Sequence, residues 1–306
     1  MTSTRSTNNP SEVWTIGKLV TSAADYLKGK NLDEPRLSAE ILLAHALQCS
    51  RLQLYTRWSD PVGDEPRAQF RESIRRAAGG EPPAYIVGHK EFFAMDFEVT
   101  PAVLIPRPET ELLVERAVSY MKEKNRASWQ VFEPGTGSGC IGAAIAKAVP
   151  TVRLVASDVT DEAIEVARRN FARHGLAGRV KVARVDWMLL PAELAPAGGF
   201  DIIVGNPPYI GTTQRHMVAE AVLKHEPSVA LFGGEDGLDF YRRTTREALP
   251  LLKPEGSLFC EVGWGDCDKV VEIFTQAGWR SAGRWKDLAG IERTLQFAPP
   301  ARDRIG

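Results

Sequence analysis

The first part of the chain carries its apolar residues at the spacing of α-helices. One such group is Ile16, Leu19, Val20, Ala23 and Leu27. Pro35, a residue suited to a first helical turn, precedes a second group: Leu37, Ile41, Ala44 and Leu47. A third helix is predicted for Glu65–Ala78, before two glycines. Because no strand pattern interrupts this stretch, we predict a small all-α domain over residues 13–88 that recognises a partner.

A short linker is predicted after this domain. From Glu91 to Ile105 the sequence is rich in aromatic residues and partly alternating, which favours a β-hairpin. Pro106 and Pro108 end this pattern, and a further helical pattern follows them. We therefore assign residues 89–107 to a β-hairpin linker.

Beyond Trp129, strand patterns and helix patterns alternate. The predicted strands are Gln130–Glu133, Arg153–Ser157, Val180–Val185, Asp201–Val204 and Ser257–Val262. The predicted helices are Cys140–Ala148, Asp161–His174, Gly237–Leu251 and Asp268–Ala277. Arg280–Trp285 and Thr294–Ala298 are predicted to form a terminal antiparallel pair. This order predicts an α/β domain over residues 108–306, with an open and mostly parallel sheet.

Composition narrows the class of protein. The chain has 306 residues, of which 43% are hydrophobic and 25% are charged, as expected for a globular protein with a large core. A formal net charge of -1 argues against an enzyme that holds duplex DNA mainly by neutralising phosphates. The four cysteines and five histidines lack metal-ligand spacing, so we expect no metal and reduced thiols in a cytoplasmic protein. Residues 1–12 are expected to be a disordered leader, and no apolar run is long enough to cross a membrane.

A glycine-rich turn joins the first strand of the α/β part to a helix. It reads Glu133-Pro134-Gly135-Thr136-Gly137-Ser138-Gly139. Glycines let the backbone approach a ligand closely, and the free N–H groups of the helix start can bind a carboxylate. Such turns also occur where a strand merely packs on a helix. The glycine spacing differs from the Gly-x-Gly-x-x-Gly of dinucleotide sites, which favours S-adenosylmethionine over NAD.

The next two strands end in residues that suit an adenosine. Asp158 is placed to hold both ribose hydroxyls, although an aspartate at a strand end is also a common helix cap. Asp186 is predicted to accept from the adenine amino group, and Trp187 to pack on the purine face.

The fourth strand leads into the tetrapeptide Asn206-Pro207-Pro208-Tyr209. The carboxyl ends of strands in an open α/β sheet face the ligand crevice, so this tetrapeptide should lie beside the glycine-rich turn. A carboxamide or aromatic amine is a poor nucleophile, because its nitrogen lone pair is delocalised. The Asn206 side-chain oxygen and a carbonyl of Pro207 or Pro208 can accept both N–H protons and polarise this nitrogen, while Tyr209 stacks on the flat group. We therefore predict that these four residues are the catalytic and substrate-binding residues of an N-methyltransferase.

Further motifs resemble those of the HemK-type (PrmC) release-factor glutamine methyltransferases. They are Glu81–Gly88, Val103–Glu111, Asn206–Ile210, Glu226–Pro227 and Gly233–Leu238. The resemblance covers nearly the whole chain from about residue 15. It implies a seven-stranded, Rossmann-like methyltransferase domain, preceded by an all-α N-terminal domain and a β-hairpin linker.

The resemblance also implies an activity and a set of binding residues. A methyl group would pass from S-adenosyl-L-methionine to the side-chain amide nitrogen (N5) of the glutamine in the Gly-Gly-Gln loop of class I peptide-chain release factors. The implied partner is thus a release factor, with no direct nucleic acid or membrane, and we expect a monomer. The residues expected to bind the cofactor are Glu133, Gly135, Thr136, Gly137, Ser138, Gly139, Asp158, Asp186, Trp187 and Asn206.

Two segments depart from the family pattern. Glu133-Pro134 stands where the family usually has Asp-Leu or a similar pair, and Glu133 is still expected to reach the methionine amino group. Glu261–Asp266 lacks the glutamine that commonly follows the Glu-x-Gly of this family. We expect this difference to affect the local packing rather than the activity.

Three other functions stay open at this point. An adenine-N6 DNA methyltransferase would use the same tetrapeptide on an extruded base. Another glutamine methyltransferase would act on a ribosomal protein. A non-catalytic binding module would keep only the fold, although the intact Asn206, Asp158 and glycines argue against it.

Overall fold

The structure is a computed structural model that describes residues 13–301. The chain divides into two compact units, with the break between Val87 and Gly88. The predicted leader, residues 1–12, lies outside the described residues. No helix in the described part is long and apolar enough to span a bilayer.

The first unit is helical over its described residues. Its helices are α1 (Ile16–Lys28), α2 (Pro35–Ala46), α3 (Arg51–Thr56), α4 (Asp64–Ala78) and α5 (Pro83–Val87). The Thr15 side chain accepts the Lys18 N–H at the start of α1, and Pro35 occupies the first turn of α2. The apolar faces of these helices enclose one core, which includes Ile16, Val20, Leu27, Leu42, Leu43, Leu54 and Phe70.

Two of these helices are absent from the sequence prediction. Helices α3 and α5 have six and five residues, too few to show a helical period. Helix α3 begins with a capping box, in which the Ser50 side chain accepts from the Gln53 N–H and the Gln53 side chain accepts from the Ser50 N–H. The sequence signal for this helix is therefore its capping box and not a pattern of apolar residues.

The second unit contains the strands and the remaining helices. Its strands are β1 (His89–Phe92), β2 (Met95–Glu98), β3 (Trp129–Pro134), β4 (Val152–Asp158), β5 (Val180–Arg184), β6 (Phe200–Gly205), β7 (Leu252–Glu261), β8 (Arg280–Lys286) and β9 (Glu292–Ala298). Its helices are α6 (Glu111–Lys124), α7 (Cys140–Ala148), α8 (Asp161–Arg173), α9 (Glu220–His225), α10 (Asp239–Glu247) and α11 (Cys267–Gln276).

Seven of these strands form one sheet in the order β5-β4-β3-β6-β7-β9-β8. The first five strands in that order run parallel, and β9 is antiparallel to both β7 and β8. This confirms the predicted open, mostly parallel, seven-stranded sheet and its terminal antiparallel pair. After β3 the chain adds β4 and then β5 on one side of β3, and it then crosses to the other side of β3 to form β6. Such a reversal opens a crevice at the carboxyl ends of the two central strands.

The predicted hairpin exists and begins at His89, the first residue of the predicted linker, but it is shorter than expected. Strands β1 and β2 pair antiparallel, and the two residues between them, Phe93 and Ala94, have φ of 51° and 55°. Two positive φ values are typical of the tight turns that match strand twist, usually with glycine or asparagine. The remainder of the predicted segment, Val99–Ile105, is not a strand, and Pro101 removes one of its backbone donors. Val99, Val103 and Ile105 are nevertheless buried, although no strand pairing holds this segment.

Several predicted boundaries in the sheet domain are wrong, among them those of α10, β7 and β5. Helix α10 begins at Asp239 instead of Gly237, because Gly237 has a φ of 82° that a helix cannot contain. Strand β7 begins at Leu252 rather than Ser257, with a register shift in its pairing with β6. Strand β5 ends at Arg184, so that Asp186 and Trp187 lie in the loop beyond it.

A buried amide ties the hairpin, helix α8 and the glycine-rich turn together. The Asn170 side chain is fully buried and donates to the carbonyl oxygens of Glu98 and Ser138, at 2.9 and 2.8 Å. It also accepts the Glu98 N–H at 2.8 Å. Removing this amide would leave buried backbone groups of Glu98 and Ser138 without partners, at a cost of about 1–3 kcal/mol each. Asn170 therefore holds the ligand-facing turn from below.

Candidate active site

A cleft of about 1030 Å³, measured to include the open solvent at its mouth, lies at the carboxyl ends of the central strands. Most of the predicted site residues line it: Gly135, Thr136, Gly137, Ser138, Asp158, Asp186, Trp187, Asn206 and Pro208. Glu133, Gly139, Pro207 and Tyr209 are not among its lining residues. Pro207 instead lines a small apolar cavity with Trp187 and Tyr241.

The glycine loop, residues Gly135–Gly139, needs glycine at its three glycine positions. Gly135, Gly137 and Gly139 have φ of 65°, 53° and 80°, where other residues are strained. A Cβ on Gly135 would lie 3.3 Å from the Trp187 ring, and one on Gly139 would lie 3.0 Å from Phe171. A Cβ on Gly137 would meet no protein atom within 4 Å, and this glycine lines the cleft. The loop thus leaves space on its ligand side.

Asp158 holds the glycine loop from the neighbouring strand. Its Oδ2 accepts the Gly137 N–H at 2.9 Å, and its Oδ1 accepts the Val159 N–H at 2.8 Å. Burial raises the pKa of this carboxyl, and the N–H donors oppose that rise. Each carboxylate oxygen can accept a second hydrogen bond. Asp158 therefore retains acceptor capacity toward a ligand hydroxyl in the cleft that it lines.

Glu133 is fully buried behind the loop. Its Oε2 accepts the Thr136 hydroxyl at 2.8 Å, and its Oε1 has no partner in the described part of the chain. The pKa of this carboxyl is raised to about 8, mainly by burial and to a smaller extent by the nearby Asp158, against the lowering effect of the Thr136 hydroxyl and the Gly142 N–H. A buried acid with one unsatisfied oxygen is costly unless a ligand or a proton compensates it.

Trp187 is fixed before any ligand binds. It is 6% exposed, its indole N–H donates to the Thr244 hydroxyl at 2.9 Å, and its ring meets Phe240 edge-on at 4.8 Å. Its φ of 53° is unusual for a tryptophan and points to a constrained loop. Asp186, beside it, forms an exposed ion pair with Arg243 at 3.0 Å. The indole is thus a preformed wall of the cleft, and Asp186 stands at its rim.

One side of the cleft lies outside the predicted set of site residues. The segment before α6 contributes Val103, Leu104, Pro106 and Arg107 to the lining. The Arg107 guanidinium pairs with the buried carboxylate of Glu226, which also accepts the Ile105 N–H at 3.2 Å. Glu226 belongs to the Glu-Pro motif that follows the tetrapeptide. Arg107 and Glu226 each belong to a motif that the sequence shows. Their ion pair joins positions more than a hundred residues apart, so the sequence alone does not reveal it.

The tetrapeptide presents an unsatisfied acceptor. The Asn206 Nδ2 donates to the Thr110 hydroxyl at 3.3 Å, whereas its Oδ1 is buried and has no partner among residues 13–301. The Tyr209 hydroxyl donates to Glu261 Oε1 at 3.4 Å, and the ring packs closely on Gly263, where a Cβ would lie 3.1 Å from it. Burial raises the pKa of the Tyr209 phenol, so it stays protonated. The arrangement offers an oxygen to an N–H donor in the cleft.

Comparison with known proteins agrees with this architecture. Residues 18–88 match the family model of the PrmC N-terminal domain, and residues 109–259 match that of the methyltransferase small domain. The release factor glutamine methyltransferase of Koribacter versatilis is 39% identical, over 94% of this chain and 99% of the relative. That of Burkholderia pseudomallei is 41% identical, over 89% of this chain and 94% of the relative. The chain belongs to the release factor glutamine methyltransferase family.

This family membership confirms the resemblance read from the motifs. Among solved structures, the catalytic domain of hMettl16 in complex with an RNA hairpin superposes with a TM-score of 0.56, covering 77% of this chain and 83% of that chain. At 15% identity this likeness concerns the fold alone. The fold is that of a Rossmann-like methyltransferase, as predicted. No group of three or more His, Cys, Asp or Glu side chains suited to a metal occurs in the described part of this family member.

The raised pKa of Glu133 predicts a pH-dependent stability. Its ordinary value is about 4.3, so between about pH 4.3 and 8 the folded state keeps a proton that the unfolded state has lost. Its stabilising contribution is therefore full below about pH 4.3 and is lost as the pH rises through 8. Within this window the free energy of unfolding should fall by up to about 1.4 kcal/mol per pH unit.

Urea unfolding of the ligand-free protein at pH 5.5 and 8 measures this effect. Glu133→Gln is neutral at both pH values and should lose much of the fall in stability. Glu165→Gln, at an exposed carboxylate on α8, should keep it. An equal fall in wild type and Glu133→Gln would contradict the assignment.

Proposed function

We propose that this protein transfers a methyl group from S-adenosyl-L-methionine to the side-chain amide nitrogen of the glutamine in the Gly-Gly-Gln loop of class I peptide-chain release factors. The observation that carries the proposal is the buried and unpartnered Oδ1 of Asn206, in a residue that lines the cleft beside the glycine loop. Family membership and the names of relatives at 39% and 41% identity support the same substrate. Because release factors act in translation, we infer a cytoplasmic enzyme.

The cleft fits the proposed cofactor. Because Gly137 has no side chain and its open side is clear of protein atoms, the cofactor can lie close to the backbone there. Asp158 can accept hydrogen bonds from the ribose hydroxyls. Trp187 gives a preformed apolar wall for the adenosine, with Asp186 at the rim for its amino group. Glu133, whose buried Oε1 has no partner in the described part of the chain, is assigned to the methionine amino group. When bound, the cofactor supplies a methyl group on a positively charged sulfur.

The residues of this chain act on the nitrogen that receives the methyl group. The Asn206 Oδ1 accepts one N–H of the substrate amide. Of the two proline carbonyls, that of Pro208 is packed against Gly233, where any side chain would collide with it. We therefore assign the second acceptor to the Pro207 carbonyl, and Tyr209 to the face of the flat amide.

These acceptors matter most in the transition state. The amide nitrogen gains positive charge as the bond to the methyl carbon forms and the bond to sulfur breaks. Fixed acceptors stabilise this charge more than they stabilise the neutral amide, and the nitrogen then loses one proton to water. Holding nitrogen, carbon and sulfur in line supplies much of the remaining rate enhancement.

A labelling assay tests the proposed substrate. The protein is incubated with methyl-labelled S-adenosylmethionine and one of four acceptors: a class I release factor, its Gln→Ala loop variant, ribosomal protein, or duplex DNA. Label should appear on the intact release factor alone. Equal labelling of the loop variant would exclude the glutamine, whereas labelling of DNA or ribosomal protein in its place would support the two enzymatic alternatives.

Asn206→Ala should separate catalysis from cofactor binding. Removing one preorganised partner of this kind costs on the order of 10²–10³ in rate. We expect such a loss in kcat, while the Kd for S-adenosylhomocysteine, measured by calorimetry, changes by less than about tenfold, since the glycine loop and Asp158 remain. Gln276→Ala removes a carboxamide on α11 that does not line the cleft, and it should leave both quantities unchanged. A fully active Asn206→Ala enzyme would exclude this mechanism.

A further inference from the structure

We propose that Thr244 of helix α10 is a positioning residue that sets the affinity of the cleft for the adenosine part of the cofactor. It acts through Trp187, the aromatic wall of the cleft, and is not itself among the residues that line the cleft. The inference rests on the cofactor of the proposed function and not on its protein substrate. A side chain that touches no ligand thus decides how tightly the cofactor binds.

Trp187 lies in an unusual backbone conformation and depends on its surroundings. Its φ of 53° is in the left-handed region, which a bulky residue seldom adopts. Such a conformation persists only where the surrounding contacts fix it. The ring packs on Gly135 of the glycine loop, where an added Cβ would lie 3.3 Å from it. Further contacts of the ring come from helix α10.

The hydrogen bond between Trp187 and Thr244 has a fixed direction. An indole N–H can only donate, and this one lies 2.9 Å from the Thr244 hydroxyl oxygen. The hydroxyl has a single proton, which it donates to the Phe240 carbonyl oxygen at 2.6 Å, one turn earlier in α10. Both side chains are buried, since Trp187 is 6% exposed and Thr244 is 4% exposed. Thr244 is therefore the acceptor that the buried indole requires.

Helix α10 makes two other contacts with the same loop. Phe240, which lines the cleft, meets the Trp187 ring edge-on at 4.8 Å between centroids. Arg243 pairs with Asp186 at 3.0 Å, but 59% of the Asp186 side chain is exposed, so water screens this ion pair. A buried donor that loses its acceptor costs more free energy than such an exposed pair contributes. The bond to Thr244 is therefore the contact that holds the indole most strongly.

Loss of this acceptor acts on the binding equilibrium. Without the Thr244 hydroxyl, the ligand-free protein relieves the unpaired indole N–H by turning the ring toward water in the open cleft. A cofactor then binds only after the ring has returned to the wall and given up that water. The measured Kd rises in proportion as the fraction of protein with the ring in place falls. The rate of the fully loaded enzyme stays the same, because no group that contacts the amide nitrogen has changed.

A matched set of variants on one helix tests this role. Thr244→Val removes the hydroxyl but fills the same space, so no water can replace it in the small apolar cavity behind Trp187. Thr244→Ser keeps the acceptor. Thr245→Val is the control, because Thr245 is also buried and its hydroxyl also donates to a carbonyl of α10, that of Arg242 at 2.8 Å. Thr245 accepts an indole N–H, that of Trp279, only on its backbone oxygen, which the variant retains.

The first measurement is the Kd for S-adenosylhomocysteine by calorimetry, without any methyl acceptor. This Kd should rise about tenfold in Thr244→Val, the order of magnitude for a buried donor left unpaired. It should stay close to the wild-type value in Thr244→Ser and Thr245→Val. The KM for S-adenosylmethionine should rise in parallel in Thr244→Val, whereas kcat at saturating cofactor and the KM for the release factor should not change. A general weakening of the fold would not produce this division between KM and kcat.

The second measurement follows the indole N–H itself. The chain has seven tryptophans, and the ¹⁵N indole signal of Trp187 is the one that Trp187→Phe lacks. In the ligand-free protein this N–H should exchange with solvent about tenfold faster in Thr244→Val than in wild type or Thr245→Val. In the Trp187→Phe background, which has no indole N–H, Thr244→Val should leave the Kd for S-adenosylhomocysteine nearly unchanged.

Several results would overturn the role of Thr244. An unchanged Kd in Thr244→Val would show that the hydrogen bond does not govern cofactor binding. Equal rises in Thr244→Val and Thr245→Val would show a general effect on helix α10, and a fall in kcat at constant Kd would move the effect to the chemical step. Wild-type protein that fails to bind S-adenosylhomocysteine would reject both the role and the proposed cofactor. Binding without methylation of the release factor would reject the proposed substrate alone, and the comparison of Thr244→Val with Thr245→Val would still decide the role of Thr244.

Discussion

The reversal of strand order between β3 and β6 is the constraint on which the site depends. Parallel strands end at the same edge of a sheet, so the loop after β3 and the loop after β6 must share one crevice. The first loop is built of glycines with positive φ and holds space open, and the second carries the rigid tetrapeptide. Neighbouring strands then add Asp158 from β4 and Glu261 from β7. The order of the strands thus brings the glycine loop and the tetrapeptide to the same edge of the sheet.

Burial of acidic groups around this crevice is the second theme. Glu133, Glu226 and Glu261 are all nearly inaccessible, and each is tied to a segment that shapes the cleft. Glu133 supports the glycine loop through Thr136, Glu226 holds the Arg107 segment, and Glu261 underlies the tetrapeptide. Buried acids destabilise a fold unless they are partnered or protonated. The walls of the site are thus held by groups whose burial costs stability locally.

The sequence predicted the sheet and the cleft-lining loops well, because both leave local signals. Alternating strand and helix patterns, a glycine-rich turn and an Asn-Pro-Pro-Tyr run can be read without knowledge of distant partners. The sequence did not predict the short helices α3 and α5, because five or six residues are too few to show a helical period. It did not predict the Phe93–Ala94 turn either, because this turn lacks the usual glycine. Partnerships such as Arg107 with Glu226, or Thr110 with Asn206, join positions about a hundred residues apart and appear only once the fold is known.

The central claim is that the cleft holds a glutamine amide by its two N–H groups. A crystal structure of the protein with S-adenosylhomocysteine and a peptide containing Gly-Gly-Gln tests it directly. The account predicts the glutamine nitrogen within hydrogen-bond distance of the Asn206 Oδ1 and the Pro207 carbonyl, with that nitrogen facing the cofactor sulfur. A peptide glutamine that lies outside the cleft would contradict the account. So would a glutamine in the cleft whose nitrogen is hydrogen-bonded to neither the Asn206 Oδ1 nor the Pro207 carbonyl.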